Sequence, residues 1–260
     1  MSKLDKRFLD VLLRDMPYDE AATLQDVLAG ISSSGGAPSY GCSLTYTGTR
    51  TITVAQGALS IFGAAHVVSA DTVISIIDDF GDVGSPLVNT TYYVYAADED
   101  GVLSFYFSSS TPTRPGKSDA DLNPVHRRVP LQHPAHANWL YIGQVLYRSD
   151  ATILPFTVCT QDYWEGAFTS ATRNVDMTLM HAWGAIPQDI RLMFSTTAAN
   201  STNVLTMLAY ATPASKLYGA LPRTASSKTL DLDIQKDALF WDNNTAAWVN
   251  SGYIKLAVLR

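Results

Sequence analysis

The sequence predicts a mainly β protein, with short N-terminal helices followed by two antiparallel β-sandwich or jelly-roll-like domains. Three observations predict it. Short runs rich in aromatic and β-branched residues recur between turn signals from Tyr40 onward, the pattern of a sandwich or barrel. Two such runs meet at Asp100-Gly101, a pair suited to the positive φ angles of a tight hairpin turn. Before Ser32, by contrast, apolar residues fall at helical rather than alternating spacing.

The organisation follows in order. Residues 1–38 form a helical arm and linker, 39–160 a first β domain and 161–260 a C-terminal β domain. In the arm, Leu4, Phe8, Val11 and Leu12 share one helix face; Pro17 interrupts, and Leu24, Val27, Leu28 and Ile31 repeat the spacing. Pro17 suits a first helical turn, with Asp19 and Glu20 placed where the helix dipole favours negative charge. The tether Ser32-Ser33-Ser34-Gly35-Gly36-Ala37-Pro38 then leaves two amphipathic helices with a face to bury, either against the β domain or as a docking and oligomerisation arm.

In the first β domain, Thr51–Ala55 and Ala58–Phe62 flank Gln56-Gly57, read as a hairpin turn, and Val73–Ile77 is a β-branched run. The stretch from Asn89 to Pro112 holds the strongest hairpin. Both of its arms are apolar beyond simple alternation, so it must be covered on more than one side. Trp139–Tyr147 and Ile153–Cys159 complete the unit. Between Thr111 and Ala137 runs a long connection with five prolines and the pair Arg127-Arg128, the best candidate contact loop. In the C-terminal unit the expected strands are Asp176–Met180, Ile190–Thr196, Val204–Ala211, Thr229–Ile234 and Tyr253–Leu259, the last tying the C-terminus into a sheet.

Composition bounds the function. A net charge of −6 argues against a general nucleic-acid binder, which needs clustered Lys and Arg to displace counterions from phosphates. No stretch is long and apolar enough for membrane insertion, and MSKLDKRFLD carries charges where a signal peptide needs an apolar run, so a protein made in a cytoplasm is expected. Cys42 and Cys159 are too few for a disulfide framework; they read as reduced thiols packed as small apolar groups, with pairing across neighbouring strands the alternative.

Candidate chemistry is sparse. His126, His133 and His136 cluster in the long connection, but their spacing matches no structural zinc pattern. Asp78, Asp79 and Asp82 around Gly81, and Asp98, Glu99 and Asp100 before Gly101, lack the calcium-loop pattern and read as solvated turns. Glycan hydrolysis needs two carboxylates across a cleft, whereas Asp231 and Asp233 alternate with Leu230, Leu232 and Ile234 as on any half-buried strand. No serine sits in a nucleophile-elbow glycine pattern. An enzyme is not expected, and no cofactor is required. Trp164, Trp183, Trp241 and Trp248 are either core or contact residues, and Trp241 and Trp248 are placed to pair across a hairpin.

Three stretches carry a family likeness: Tyr92-Tyr93-Val94-Tyr95 through Ser108-Ser109-Ser110-Thr111-Pro112, then Trp139-Leu140-Tyr141-Ile142-Gly143, then His181-Ala182-Trp183-Gly184-Ala185-Ile186-Pro187. In these the chain resembles bacteriophage virion proteins of the tail-fibre, head-fibre and tail-adaptor kind, with Ala-Trp where their later turn commonly has Gly-Leu. The resemblance implies a homo-oligomer, most often a trimer, assembled in the host cytoplasm and joined to other virion proteins of the tail or head through its N-terminal segment. It implies no catalytic residues. Under it, Arg127, Arg128, Trp183, Trp241 and Trp248 become candidate ligand or interface contacts, and contact with a host surface glycan, by a receptor-binding tip or a carbohydrate-binding or depolymerising module, is the alternative role.

Overall fold

The computed structural model describes residues 39–61, 63–113, 131–187, 189–198, 205–206, 210–211, 217–242 and 246–259. The predicted arm residues Leu4, Phe8, Val11, Leu12, Leu24, Val27, Leu28 and Ile31 lie outside that set, as do Arg127 and Arg128. The described chain is mainly β, built of several antiparallel sheets, with no helix among the described residues.

At its centre is a three-stranded sheet in the order β8 (Val102–Ser108), β7 (Thr90–Glu99), β9 (Trp139–Tyr147). The predicted hairpin is β7–β8, and its turn has the expected geometry: Asp100 and Gly101 take φ of 53° and 87°, and the Gly101 N–H donates to Asp98 Oδ1 at 2.7 Å. Two faces of this sheet are covered, as its doubly apolar pattern requires. Tyr92, Val94 and Ala96 enter the large core, while Tyr93, Tyr95 and Ala97 face a smaller aromatic cluster with Leu131, Trp139 and Tyr141. All nine residues of β9 are buried for the same reason. The β7–β9 register shifts between Val94 and Tyr95, which pair with Gly143 and Tyr141 and leave Ile142 bulged.

The largest sheet has nine strands. Its path runs β15 (Leu205–Thr206), β14 (Asp189–Ser195), β22 (Ser251–Leu259), β11 (Tyr163–Gly166), β10 (Phe156–Cys159), β2 (Leu44–Tyr46), β3 (Thr51–Val54), β6 (Thr72–Ser75), with β12 (Thr169–Thr172) also paired to β22. The expected boundary at 160/161 falls in the β10–β11 hairpin of this sheet, closed by the Thr160 N–H on the Tyr163 carbonyl at 2.7 Å. Strands from both expected β units therefore share one sheet, and Ile52, Phe107, Trp164, Phe194 and Val258 share one core. β22 pairs with β11, β12 and β14, so the expected strand Tyr253–Leu259 lies within the sheet.

Four smaller sheets complete the described fold: β1 (Ser39–Tyr40), β4 (Gly57–Ile61) and β5 (Ala64–Val68); β13 (Met177–Met180), β19 (Thr229–Ile234) and β18 (Ala220–Ala225); β16 (Tyr210–Ala211) with β17 (Leu217–Tyr218); and β20 (Phe240–Asp242) with β21 (Ala247–Val249). They correct one expectation. Gln56-Gly57 is not a hairpin turn, because β3 is flanked by β2 and β6 while β4 pairs with β1 and β5. Both edges of β3 are occupied, so the chain must leave that sheet. The Gln56 N–H is held by Asp71 Oδ1 at 2.9 Å, and Gly57 lies where Gly41 passes so closely that a Cβ on Gly41 would meet the Gly57 Cα at 3.3 Å. Of the expected strand Val204–Ala211, the described residues Leu205–Thr206 and Tyr210–Ala211 belong to different sheets.

Candidate functional site

The densest polar constellation among the described residues lies where the end of β8 meets the turn 131–139. Ser108 is fully buried; its hydroxyl donates to Asp82 Oδ1 at 2.6 Å and accepts from the Ser110 N–H at 3.1 Å. Asp82 Oδ2 takes the N–H and the hydroxyl of Ser109, each at 2.7 Å. His133 Nε2 sits 3.1 Å from Ser108 Oγ, and its Nδ1 accepts the Ala135 N–H at 3.1 Å. Burial pushes the Asp82 carboxyl up, but the hydrogen bonds from Ser108 and Ser109, aided by His133, outweigh it and hold the group below its ordinary value. The buried His133 ring is lowered first by desolvation and then by neighbouring His136, against a weaker pull from Asp82.

These three residue types suggest a nucleophile triad, but the proton positions run the wrong way. Nδ1 accepts from a backbone N–H, so the neutral ring carries its proton on Nε2 and donates to Ser108 Oγ. A general base would need Nε2 free to take the serine proton, with Nδ1–H oriented by the carboxylate. Here the hydroxyl proton already points to Asp82, and no part of Ser108 reaches solvent. The constellation is a clamp between β8, the loop before β7 and the turn 131–139.

Aromatic rings close around it. His133 lies 5.1 Å from Tyr95 and 5.0 Å from Trp139, and both His136 and Tyr106 stack on Trp139, at 4.3 Å and 4.7 Å. Gly81 is required at this approach, since a Cβ there would stand 2.7 Å from the Trp139 ring. The base of the long connection is fixed by reciprocal bonds between Thr113 and Gln132, each 2.9 Å. His126 falls outside the described residues, and among those described no three His, Cys, Asp or Glu side chains gather closely enough to hold a metal ion.

The second constellation is aromatic and opens to solvent at Trp248 alone, with Trp241 half-buried and Tyr218 buried. Trp241 and Trp248 are direct partners across β20–β21, as their spacing predicts, with rings 5.3 Å apart at 72°. Tyr218 stacks on Trp248 at 3.9 Å and 9°, and Trp248 keeps 39% of its surface open. Trp183 is half-buried and packs against the large core, and Trp164 is fully buried within it.

The acidic groups do more than sit in solvated turns. Asp79 Oδ2 takes the Ser75 N–H at 2.7 Å, and Asp231 accepts from Thr178 and Thr224 across β13–β19–β18. On β19 the predicted alternation holds, with Leu230, Leu232 and Ile234 buried. One pair was missed in the sequence: Glu165 makes a buried ion pair with Lys255 at 2.5 Å and accepts from the Tyr163 hydroxyl. The signal was available: Lys255 lies among apolar residues of a strand whose neighbours are core. Neither cysteine forms a disulfide; both are buried, and burial pushes each thiol up to about 12.

The turn 181–187 docks on β7. A Cβ at Gly184 would stand 2.7 Å from Tyr93 Oη and 3.3 Å from Thr91 Cγ2, so glycine, at φ 73°, is needed both for the turn and for the approach. Lys228 Nζ also donates to the Asn89 carbonyl beside it. Val83, Leu87 and Val88, in the segment before β7, and Ile186, in the 181–187 turn, expose 106%, 72%, 46% and 65% of their surfaces. No family model matches the sequence, and no curated protein matches it.

Proposed function

We propose that the chain is a structural subunit of a bacteriophage virion, a tail or fibre component that associates with copies of itself and with neighbouring virion proteins. One observation carries this reading: the three stretches of phage likeness, separate in sequence, form one body. Tyr92–Ala97 pair with Trp139–Val145 along β7–β9, and the 181–187 turn packs on Tyr93 and Thr91. A likeness spread over unrelated surface segments would not be expected to converge in this way. In this reading the sheets take a sandwich or jelly-roll-like arrangement, residues 1–38 dock on a neighbouring virion protein, and the exposed aliphatic residues Val83, Leu87, Val88 and Ile186 are buried between copies. No step requires a cofactor. Mass measurement in solution, followed by peptide mapping of purified particles, tests it: a discrete oligomer, with a trimer expected, and a stoichiometric place in the particle support it. A monomer absent from particles refutes it.

A second reading is favoured by Trp248, 39% exposed and held between Tyr218 and Trp241, whose open ring surface suits the apolar face of a sugar. Contact with a host surface glycan then belongs to this same subunit. Binding on a glycan array that Trp248→Ala abolishes without loss of thermal stability distinguishes it from an interface between proteins.

A further inference from the structure

The turn 131–139 is fastened by a ring whose two nitrogens both have fixed roles. His133 Nδ1 must be bare to accept the Ala135 N–H, and Nε2–H must donate to a Ser108 hydroxyl already committed to Asp82. Each bond has one satisfactory proton arrangement, and that arrangement requires the neutral imidazole. We propose that the turn is an acid-released latch: neutral His133 locks it over the Tyr93–Tyr95–Tyr141 face of β7 and β9, and protonation at Nδ1 releases it.

The chemistry of release is local. A proton on Nδ1 sets one N–H donor against the Ala135 N–H at 3.1 Å, so a part-buried hydrogen bond, made by a ring only 4% exposed, becomes a donor–donor clash. The Nε2 side loses nothing, because it donates in both states. Among the described residues the titratable groups facing the ring are Asp82, reached through Ser108, His136 on the same turn, and Tyr95 on β7. Tyr106 and Glu99 form the next hydrogen-bonded pair beyond Trp139. His136 opposes a second positive charge at a ring separation of 4.6 Å, while Asp82 favours one but is already saturated by three serine donors. Desolvation and His136 outweigh Asp82, which places release on the acid side of the ordinary histidine value.

The sign of the linkage follows. The closed turn holds His133 below its free value, so the open turn binds more protons; closure is full above the free value, about 6.5, and is lost as pH falls through the lowered value of the closed state. Opening strips the backbone bonds of the turn, His133 N–H to Trp139 O at 3.0 Å and Tyr141 N–H to Leu131 O at 2.9 Å, while β7–β8 pairing stays intact.

Hydrogen exchange of the full chain between about pH 8 and about pH 4, corrected for intrinsic rates, tests the latch. Peptides spanning 131–141 should lose protection by about tenfold or more toward acid, while peptides of β7 and β8 do not. His133→Asn, which keeps an oxygen near the Nδ1 position and cannot be protonated, should hold the same protection at both extremes. His136→Gln should move the midpoint to higher pH. Equal protection of 131–141 across the range, or acid loss undiminished in His133→Asn, overturns the proposal. Should His133→Asn fail to fold, nitrogen resonances of the wild-type ring decide: an Nε2-protonated tautomer near neutrality, titrating together with the exchange midpoint, supports the latch, and an Nδ1-protonated tautomer ends it.

Discussion

Removing one member of the Lys255–Glu165 pair should destabilise the protein more than most single changes, and removing both should restore nearly all of the loss. Lys255 on β22 and Glu165 on β11 lie two residues off register on one sheet face, since Glu165 pairs with Ala257. Their side chains are 6% and 13% exposed, Nζ and Oε1 are 2.5 Å apart, and the Phe168 ring lies 4.7 Å from Nζ. Lys255→Met leaves a carboxylate in the sheet with the Tyr163 hydroxyl still donating to it, which places the cost at the lower end of the range for breaking buried pairs, about 3 kcal/mol. Lys255→Met with Glu165→Met exchanges the pair for apolar residues of similar volume, and buried pairs replaced in this way are often neutral within about 1 kcal/mol. Urea denaturation followed by tryptophan fluorescence and circular dichroism measures both, the single variant shifting the midpoint by about 1 M for a slope of about 3 kcal/mol/M. A single-variant loss below about 1 kcal/mol, or a double variant as unstable as the sum of the two singles, would show that the pair is solvated and refute the reasoning.

Three further outcomes are expected. Gly143→Ala should cost about 1–3 kcal/mol, because its Cβ would stand 2.6 Å from Leu44 Cδ1 and 3.1 Å from Cys159 Sγ in a fully buried site, and Leu44→Val should recover part of that loss in a double-mutant cycle by urea denaturation. His181 is fully buried with Nδ1 bound to the Trp183 N–H, and burial lowers it to about 4 against a smaller opposing pull from the backbone at Ser226 and Thr229. Its contribution is therefore complete above about pH 6.5 and is lost progressively as pH falls toward 4, by up to about 3 kcal/mol; stability measured across that window should flatten in His181→Asn. Leu87→Asp and Ile186→Asp, both at exposed positions, should leave the thermal midpoint within a few degrees of wild type but shift the solution mass toward monomer in light scattering; an unchanged mass would place the interface elsewhere.

How much of this was legible in the sequence depends on where the determinants lie along the chain. The β7–β8 hairpin could be read because everything it needs is local: Asp-Gly for the turn, and two faces of apolar residues that declare burial on both sides. The Trp241–Trp248 pair and the alternation of β19 were legible for the same reason. Gln56-Gly57 was misread because a glycine between two β-branched runs signals a turn and a close backbone approach equally well. The choice between them was made by β2, β6 and Gly41, distant in sequence or in partner choice. The boundary near 160 looked like a division because turn residues interrupt two strand sets, yet it is the turn of a hairpin whose outer neighbours, β2 and β22, come from opposite ends of the described chain.

The candidate site was the least legible part, and the reason is chemical as well as topological. Histidine 133 was noticed as one of three clustered imidazoles, a pattern that asks about metals, whereas its partners Ser108 and Asp82 stand 25 and more residues away on other segments. Even with all three in view, composition alone would suggest a triad. What decides against nucleophilic catalysis is a single backbone donor, Ala135 N–H, which occupies Nδ1 and forces the proton onto Nε2. A main-chain group has no identity in a sequence, so the same three side chains can build a reactive serine or a clamp according to how the chain bends two residues later. In this protein the bend builds a clamp, and the acid sensitivity inferred for it arises from that same donor: a ring held by a backbone N–H at Nδ1 cannot accept a proton there and remain held.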